Sequence, residues 1–332
     1  MQLHDIGLEA RKLYASFIQS VDEFRPALWR YCLHLTSNVW DAEDLMQESL
    51  LKAFASLGQI RHSYLPKSYL FRIASNTWID QHRKKQPIQT NLLPESNDEA
   101  NNLQHDYSLR VFEEIEILLS FLTPRHVVVI LLIEVFDFSA SEVADMLQTT
   151  EGAVHAMLSR ARTKLKSIHQ DERVEKGGSS ITEDNLSLIS SYVQAFHLKD
   201  PARLLDLYAE HAEIQLLNTG IVKGRDSIKA TLDWSSYPES FHAEWKWLWG
   251  KPVVLLIADR GQQQTLWRAQ ILEFEEGKVV KDKNYFFCRE VMLEIASYLQ
   301  ISIDADTRLH YQQPWKYSNS CPIGIRFTEN IR

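Results

Sequence analysis

In Phe136–Lys166, FDFSASEVADMLQTTEGAVHAMLSRARTKLK, polar side chains gather on one side of a helical repeat. Glu151, His155 and Ser159 recur at i, i+4 and i+8, and Arg160, Arg162, Lys164 and Lys166 crowd the C-terminal end. Hydrogen-bonding groups on an open helix face can read base edges in a major groove, while basic residues beside them neutralise phosphates. A second set mixes an aromatic ring with polar and basic residues: Asn76, Trp78, His82, Arg83, Lys84 and Lys85. That mixture suits single-stranded nucleic acid, where bases stack and phosphates need charge. Each set also has a plainer reading. The first fits an ordinary αα-hairpin with a solvated basic end. The second fits a helix terminus whose positive charge answers the helix dipole.

The elements that position these residues are set by periodicity. A Ser139/Ser141 cap with Glu142 in the first turn starts one helix, which buries Val143, Ala144 and Leu147. Gln148-Thr149-Thr150 is a turn, and Thr150 caps a second helix. Val154, Leu158, Ala161 and Leu165 at i, i+4, i+7 and i+11 form its apolar stripe. Thr123-Pro124 opens an earlier helix with proline at its first position. Upstream, Phe17, Ile18 and Val21, then Phe24, Leu28, Tyr31, Cys32 and Leu35, give an amphipathic pattern. Asp41 opens DAEDLMQESLLKAFASL, whose acids lie in the first turn and whose buried side is Leu45, Leu50, Ala53, Phe54 and Leu57. Ser68 caps SYLFRIASNTWIDQHRKKQ, with Leu70, Ile73, Ala74 and Thr77 as its core stripe and Pro87 as its stop. Between the two helical blocks NLLPESNDEANNLQHD is polar and acidic, and reads as a linker.

The chain has 332 residues, 45% of them hydrophobic, enough for two or three domains with cores of their own. Its net charge of −8 excludes a wholly basic coat, so any nucleic-acid surface is local. Cys32, Cys288 and Cys321 are widely spaced and odd in number. They provide neither a disulfide framework nor metal-ligand spacing, which fits a reducing compartment. The longest apolar run, Val127–Ile133, is too short to span a bilayer, so a cytoplasmic protein without membrane contact is expected.

Read together, the two helical blocks resemble the extracytoplasmic-function (ECF) group of sigma-70 family RNA polymerase sigma factors. DAEDLMQESLLKAF (Asp41–Phe54) and SYLFRIASNTWIDQHRKK (Ser68–Lys85) are similar to region 2, with Tyr69 where Trp is usual and matches at Leu70, Ile73, Ala74, Asn76, Asp80 and Arg83. LTPRHVVVILL, SEVADML and SRARTKLK are similar to region 4. The resemblance implies that Asp41, Glu43, Asp44 and Glu48 dock on the clamp of core polymerase. It implies that the Ile60–Lys67 loop and Asn76, Trp78, His82 and Arg83 capture bases of a melted −10 element. It implies that Thr150, Glu151, Ala153 and His155 face a −35 duplex, with Arg160 and Arg162 on phosphates. The family's Thr-Val-Lys-Ser segment is Ala153-Val154-His155-Ala156 here, which leaves fewer fixed donors for base readout.

Past Gly177-Gly178-Ser179-Ser180, a flexible joint, the pattern changes. Ile181–His197 is amphipathic, and DPARLLDLYAEHAEIQ reads as further helix. Trp245, Trp247 and Trp249 alternate, Val253–Ala258 and Thr265–Phe274 are strand-like, and Glu276-Gly277 turns into Lys278–Phe287. YVQAFHLKDPARLLDLYAEHAEI, GRDSI and FEEGKVVKDKNYF are similar to SnoaL-like, or NTF2-like, cone domains. Such a cone implies an internal pocket open to an unidentified small ligand. Polar candidates for it are Asp206, His211, Glu213, His242, Glu244 and Arg268, which form no recognisable catalytic set.

The expected fold is multidomain: two all-α sigma domains, then an α+β cone. Region 2 spans 8–88, a linker 89–111, region 4 112–170, a second linker 171–181, the cone 182–300 and a tail 301–332. The expected function is non-enzymatic: promoter recognition with RNA polymerase core, bound through its clamp and flap regions, and with promoter DNA. The C-terminal domain regulates this by intramolecular contact with the sigma domains, and neither cofactor nor metal is needed. The rival reading is a SnoaL-like small-molecule enzyme tethered to a DNA-binding module.

Overall fold

A computed structural model describes residues 3–57, 67–85, 121–166, 183–304 except 233, 235 and 236, and residue 307. The chain divides into two compact units, Met1–Gly177 and Gly178–Arg332. Most of the expected loop at 60–67, both linkers and the Pro314-Trp315 and Pro322 segment lie outside the described residues.

The first unit is helical throughout its described length. Its opening half contains α1 (Leu3–Val21), α2 (Arg25–Thr36), α3 (Val39–Ala55) and α4 (Lys67–Lys85). Asn38 starts α3: its side chain accepts from Trp40 N at 3.0 Å and Asp41 N at 3.3 Å, covering two amides that the helix itself cannot pair. Leu28 and Leu35 of α2, Leu45 and Leu50 of α3 and Leu70 and Ala74 of α4 are buried between the helices. Tyr31 stacks on Phe71 at 4.9 Å, and its hydroxyl shares a 2.7 Å hydrogen bond with the Ser75 hydroxyl, so this buried phenol is satisfied.

The second half contains α5 (Pro124–Ile130), a π-helical turn (Leu131–Val135), α6 (Ala140–Leu147) and α7 (Glu151–Lys166). Ser139 caps α6 in a reciprocal box: Glu142 N donates to Ser139 Oγ at 3.2 Å, and Ser139 N donates to Glu142 Oε2 at 2.8 Å. These hydrogen bonds from Ser139 hold the Glu142 carboxyl below the usual carboxylate range. Gln148 takes the left-handed conformation that ends α6, and Thr150 Oγ1 accepts from Ala153 N at 3.2 Å to start α7. Val154, Leu158 and Ala161 are buried as the stripe predicts.

The wide π turn redirects the chain as it leaves α5. Phe136 N donates to Leu131 O and Phe138 N to Leu132 O, which swings two rings onto the first half. Phe136 meets Tyr31, Phe71 and His34 edge-on at 5.2, 5.4 and 5.9 Å. Phe138 lies 5.1 Å from Phe71, and the Lys67 ammonium sits over both of those rings.

The second unit is α+β, as expected. It runs α8 (Glu183–His197), α9 (Pro201–Leu207), β1 (Tyr208–Leu216), β2 (Gly220–Lys223), α10 (Arg225–Lys229), β3 (Phe241–Leu248), β4 (Lys251–Arg260), β5 (Gln263–Glu275), β6 (Lys278–Asn284), α11 (Arg289–Leu299) and β7 (Ser302–Ile303). The sheet order is β2-β1-β6-β5-β4-β3, with β7 paired beside β5. All these pairs are antiparallel except β1 with β6 and β5 with β7. Tyr192, Phe196, Leu204, Leu256, Trp267 and Phe286 are central members of its core. Glu276 and Gly277, both at positive φ, make the tight β5–β6 turn.

Three expectations need correction here. The helix expected through DPARLLDLYAEHAEIQ stops at Leu207, and Tyr208 begins a strand. Its buried positions Tyr208, Ala212, Ile214 and Leu216 fit the alternation of a strand rather than a helical stripe. The tryptophans do lie at strand spacing, but Trp247 is exposed and Trp249 stands beyond the strand, 5.6 Å from Tyr298. Finally, α11 buries Val291, Met292 and Ile295, and β7 extends the sheet past residue 300, so the unit continues into the expected tail.

Asp304 anchors that continuation. It is fully buried and accepts from Arg260 Nε at 3.0 Å, Arg260 Nη2 at 3.1 Å and Thr265 Oγ1 at 2.7 Å. Asp304→Ala removes the carboxylate acceptor from a buried hydroxyl and from a half-exposed guanidinium. It is expected to lower the stability of this unit by about 2 kcal/mol, read as a lower calorimetric melting temperature. An unchanged melting temperature would show that the anchor contributes nothing.

Candidate nucleic-acid interface

Helix α7 is the second helix of a helix-turn-helix, held by the buried side of α6 and by α5. Its outward residues Glu151, His155 and Arg160 are exposed, Ala153 is half-buried, and Thr150 is exposed just before the helix. His155 Nε2 lies 3.6 Å from Glu151 Oε1, so the two polar side chains at the start of the helix share one site. Further along, α7 acts on His126 of α5. Burial first, and the positive charges of Arg160 and Lys164 next, hold the His126 imidazole below its ordinary value. Arg162 is exposed as expected but engaged: its Nε donates to Glu134 Oε1 at 2.9 Å, and its Nη2 meets the same oxygen. The carboxylate that pairs Arg162 competes with any phosphate for it.

On α4, Asn76 and Arg83 are exposed, and Arg83 lies 3.3 Å from Asp80. His82 is half-buried with its ring centroid 4.1 Å from that of Trp78. Trp78 itself is 1% exposed. It belongs to the core of the helical unit and presents no face for a base to stack on, a correction to the expected set. The sequence did not separate it from its neighbours because Thr77 and Trp78 are buried together where helix packing is two-sided.

The acidic helix divides likewise. Asp41 and Asp44 are exposed and Glu48 is half-exposed. Glu48 bonds Lys52 at 2.7 Å and accepts from Gln81 Nε2 at 2.7 Å, so the acidic face does have a basic partner one turn away. Glu43 is 0% exposed and accepts from Gln47 Nε2 at 2.9 Å, so it faces the interior, against the expectation of an outward docking residue.

In the second unit, the structure does not bring the polar candidates together. Asp206 pairs with Arg225 at 2.8 Å, Glu213 with Lys223 at 3.4 Å, His242 with Asp259 at 3.6 Å and Glu244 with Lys246 at 3.1 Å, while His211 is exposed. Of these candidates, Arg268 alone is inside. It shares the interior with Tyr192, Tyr208, Gln270 and Asp282, none of them among the polar candidates expected from sequence. Asp282 carried a usable signal: its neighbours Lys281 and Lys283 must face the other side of the strand, which turns the carboxylate inward. Among the described residues no cluster could hold a metal ion, and no helix is long and apolar enough to cross a membrane.

These features describe a helical unit that presents a helix-turn-helix, followed in the chain by an α+β unit. Residues 21–88 match the Sigma-70 region 2 family and residues 112–165 the Sigma-70 region 4 family. The two matches follow one another along the chain, region 2 first and region 4 second. It is 29% identical over 224 residues to the ECF RNA polymerase sigma factor SigG of Mycobacterium tuberculosis, covering 59% of this chain and 60% of that protein. Thus the chain spans about three fifths of that relative's length. The crystal structure of the M. tuberculosis extracytoplasmic function sigma factor SigJ is similar at 17% identity and a TM-score of 0.32, over 80% of this chain and 95% of that one. An NTF-2 like protein of unknown function from Burkholderia xenovorans is similar at 20% identity and a TM-score of 0.26, over 31% of this chain and 82% of that one.

The cationic corner at α7 generates a prediction. Arg160→Ala should raise the His126 titration midpoint towards the ordinary imidazole value, as one of the two charges that depress it is lost. Titration of the His126 ring resonances by NMR reads this directly. A midpoint that stays where it was would mean that Arg160 does not share a field with His126.

Proposed function

We propose that this chain is an ECF-type sigma factor that directs RNA polymerase core to promoters. The observation that carries the reading is the presence, in order, of region 2 and region 4, with the region 4 helix-turn-helix presenting Glu151, His155 and Arg160 outward on α7. In this reading Asp41 and Asp44, with Glu48 at the edge, supply negative charge to the clamp of core polymerase. Asn76, His82 and Arg83, with the 60–67 loop, take up melted −10 bases and phosphates. Thr150, Glu151, Ala153 and His155 face the −35 duplex, and Arg160 neutralises phosphate. Arg162 joins it only by leaving Glu134.

The closed contact of Phe136 and Phe138 with α2 and α4 bears on how such a factor works. Two promoter elements lie far apart along DNA, so readers of both must separate before both are engaged. The aromatic contact then restrains the free chain, and binding energy to polymerase and DNA offsets its loss. The second unit adds a further restraint in this proposal. A joint of about ten residues with Gly and Ser keeps it at roughly millimolar effective concentration near the first unit, so even a weak intramolecular contact is well populated.

Run-off transcription with core polymerase tests the reading. The full chain is expected to produce promoter-specific transcripts. Asp41→Lys with Asp44→Lys should remove them while leaving the melting temperature within about a degree or two, since exposed helix charges contribute little to stability. Arg160→Ala should weaken duplex binding on all sequences and flatten its salt dependence, whereas His155→Ala should alter preference at one or two base pairs. Transcription that survives the double charge reversal contradicts the assigned docking face. Truncation after Gln170 should change output several-fold at equal protein level. Equal output would make the second unit a passenger.

A further inference from the structure

The interior of the second unit holds a charged side chain whose hydrogen bonding is half complete. Arg268, on β5, is 3% exposed. Its guanidinium lies over the Trp267 ring at 4.6 Å and over the Tyr237 ring at 4.9 Å, and its Nη1 donates to Tyr237 Oη at 3.1 Å. The opposite edge of the same group, Nε and Nη2, has no hydrogen-bond partner among the described residues. A buried guanidinium edge left open is costly, and native interiors rarely tolerate it without a ligand or water.

The unit itself shows what such an edge holds. Arg260, eight residues earlier on β4, uses its Nε and Nη2 to grip both oxygens of Asp304. The two-toothed match of planar guanidinium to planar carboxylate is what favours this pairing. At Arg268 the plane is already fixed by two rings and one hydroxyl, so little entropy remains to be lost on binding.

Nearby groups supply the rest of a site. Gln270, two residues along the same strand, is 0% exposed and donates through Nε2 to Tyr192 Oη at 2.7 Å, while its Oε1 is unpartnered among the described residues. Asp282, 3% exposed, accepts through Oδ2 from Tyr208 Oη at 2.7 Å and Tyr192 Oη at 3.0 Å, while its Oδ1 is likewise unpartnered. Burial pushes the Asp282 carboxyl above the usual carboxylate range, which weakens it as a counter-charge for Arg268. Around Tyr237 stand Trp234 at 4.8 Å, Trp267 at 4.9 Å, Phe241 at 5.6 Å and Phe196 at 6.1 Å, and Trp234 Nε1 is a further buried donor without a partner among the described residues. The interior therefore brings together a cation with a carboxylate-shaped edge, two acceptors unpartnered among the described residues and a cluster of aromatic rings.

We infer that the second unit binds a small aromatic carboxylic acid, its carboxylate gripped by the Nε/Nη2 edge of Arg268 and a hydroxyl donating to Asp282 or Gln270. This inference stands apart from the transcriptional reading, since it concerns occupancy alone and is tested without polymerase or DNA.

The test uses the full chain with benzoate and its three monohydroxy derivatives as probes, and the corresponding neutral benzamides as matched controls. Calorimetric titration is paired with the NMR signal of the Arg268 Nε–H, which a carboxylate moves and a remote ligand does not. At least one of the acids is expected to half-saturate the protein at about 1 mM or below and to shift that signal, with its amide at least about tenfold weaker. Arg268→Gln should abolish the preference of acid over amide. Acid and amide binding alike in the unaltered chain would overturn the inference, and that comparison holds even if Arg268→Gln does not fold. So would the failure of all four acids to move the Arg268 signal, which would leave buried water as the occupant of the open edge.

Discussion

Phe136 rests against three rings that belong to other helices, and the arrangement of the helical unit depends on that contact. Tyr31 and His34 come from α2 and Phe71 from α4, while Phe136 arrives from the far side of a long polar connection. Edge-on aromatic pairs of this kind contribute about 0.5–1.5 kcal/mol each beyond the area they bury. Phe138 and the Lys67 ammonium extend the same patch. Contributions of that size, summed over the patch, tie the two halves of the helical unit together. The π turn at Leu131–Val135 makes it geometrically possible, because the extra residue per turn moves the chain's exit from α5 onto the neighbouring helices.

That contact explains why the exposed and buried residues sort as they do. With Phe71 committed to the aromatic patch, one side of α4 is sealed, and the helix offers its polar side of Asn76 and Arg83 to solvent. On α7 the apolar stripe faces α5 and α6, which leaves the polar repeat outward. The second unit obeys the opposite rule. Its surface carboxylates and basic groups pair with one another across short distances, and its unusual chemistry lies inside, where Gln270 and Asp282 meet the Tyr192 and Tyr208 hydroxyls and Arg268 meets that of Tyr237. Polar groups kept in a core at that density cost stability unless something completes them.

Much of this was legible in the sequence where local rules decide. The Ser139/Glu142 cap, the Val154/Leu158/Ala161 stripe and the Glu276-Gly277 turn depend on residues a few positions apart, and all three hold in the structure. The roles that went unread depend on contacts across long separations. Glu43 and Trp78 look like surface residues in a linear motif, yet burial is decided by which helices pack on both sides of them. Tyr192, Tyr208 and Asp282 converge from three elements; strand alternation turns Asp282 inward, but nothing within one element shows which tyrosines it meets. The aromatic contact of Phe136 was invisible for the same reason: its partners lie roughly a hundred residues or less upstream, beyond any periodic signal.

The central claim is that the restrained pair of helical bodies opens when the chain takes up its work. The direct measurement is the distance between labels on clickable side chains introduced at two exposed positions, Arg30 on α2 and Ser141 on α6, in the otherwise unaltered chain. One short distance is predicted for the chain alone, and its replacement by a longer one in the complex with core polymerase and promoter DNA. A short distance that persists in a complex actively making run-off transcript would contradict the account.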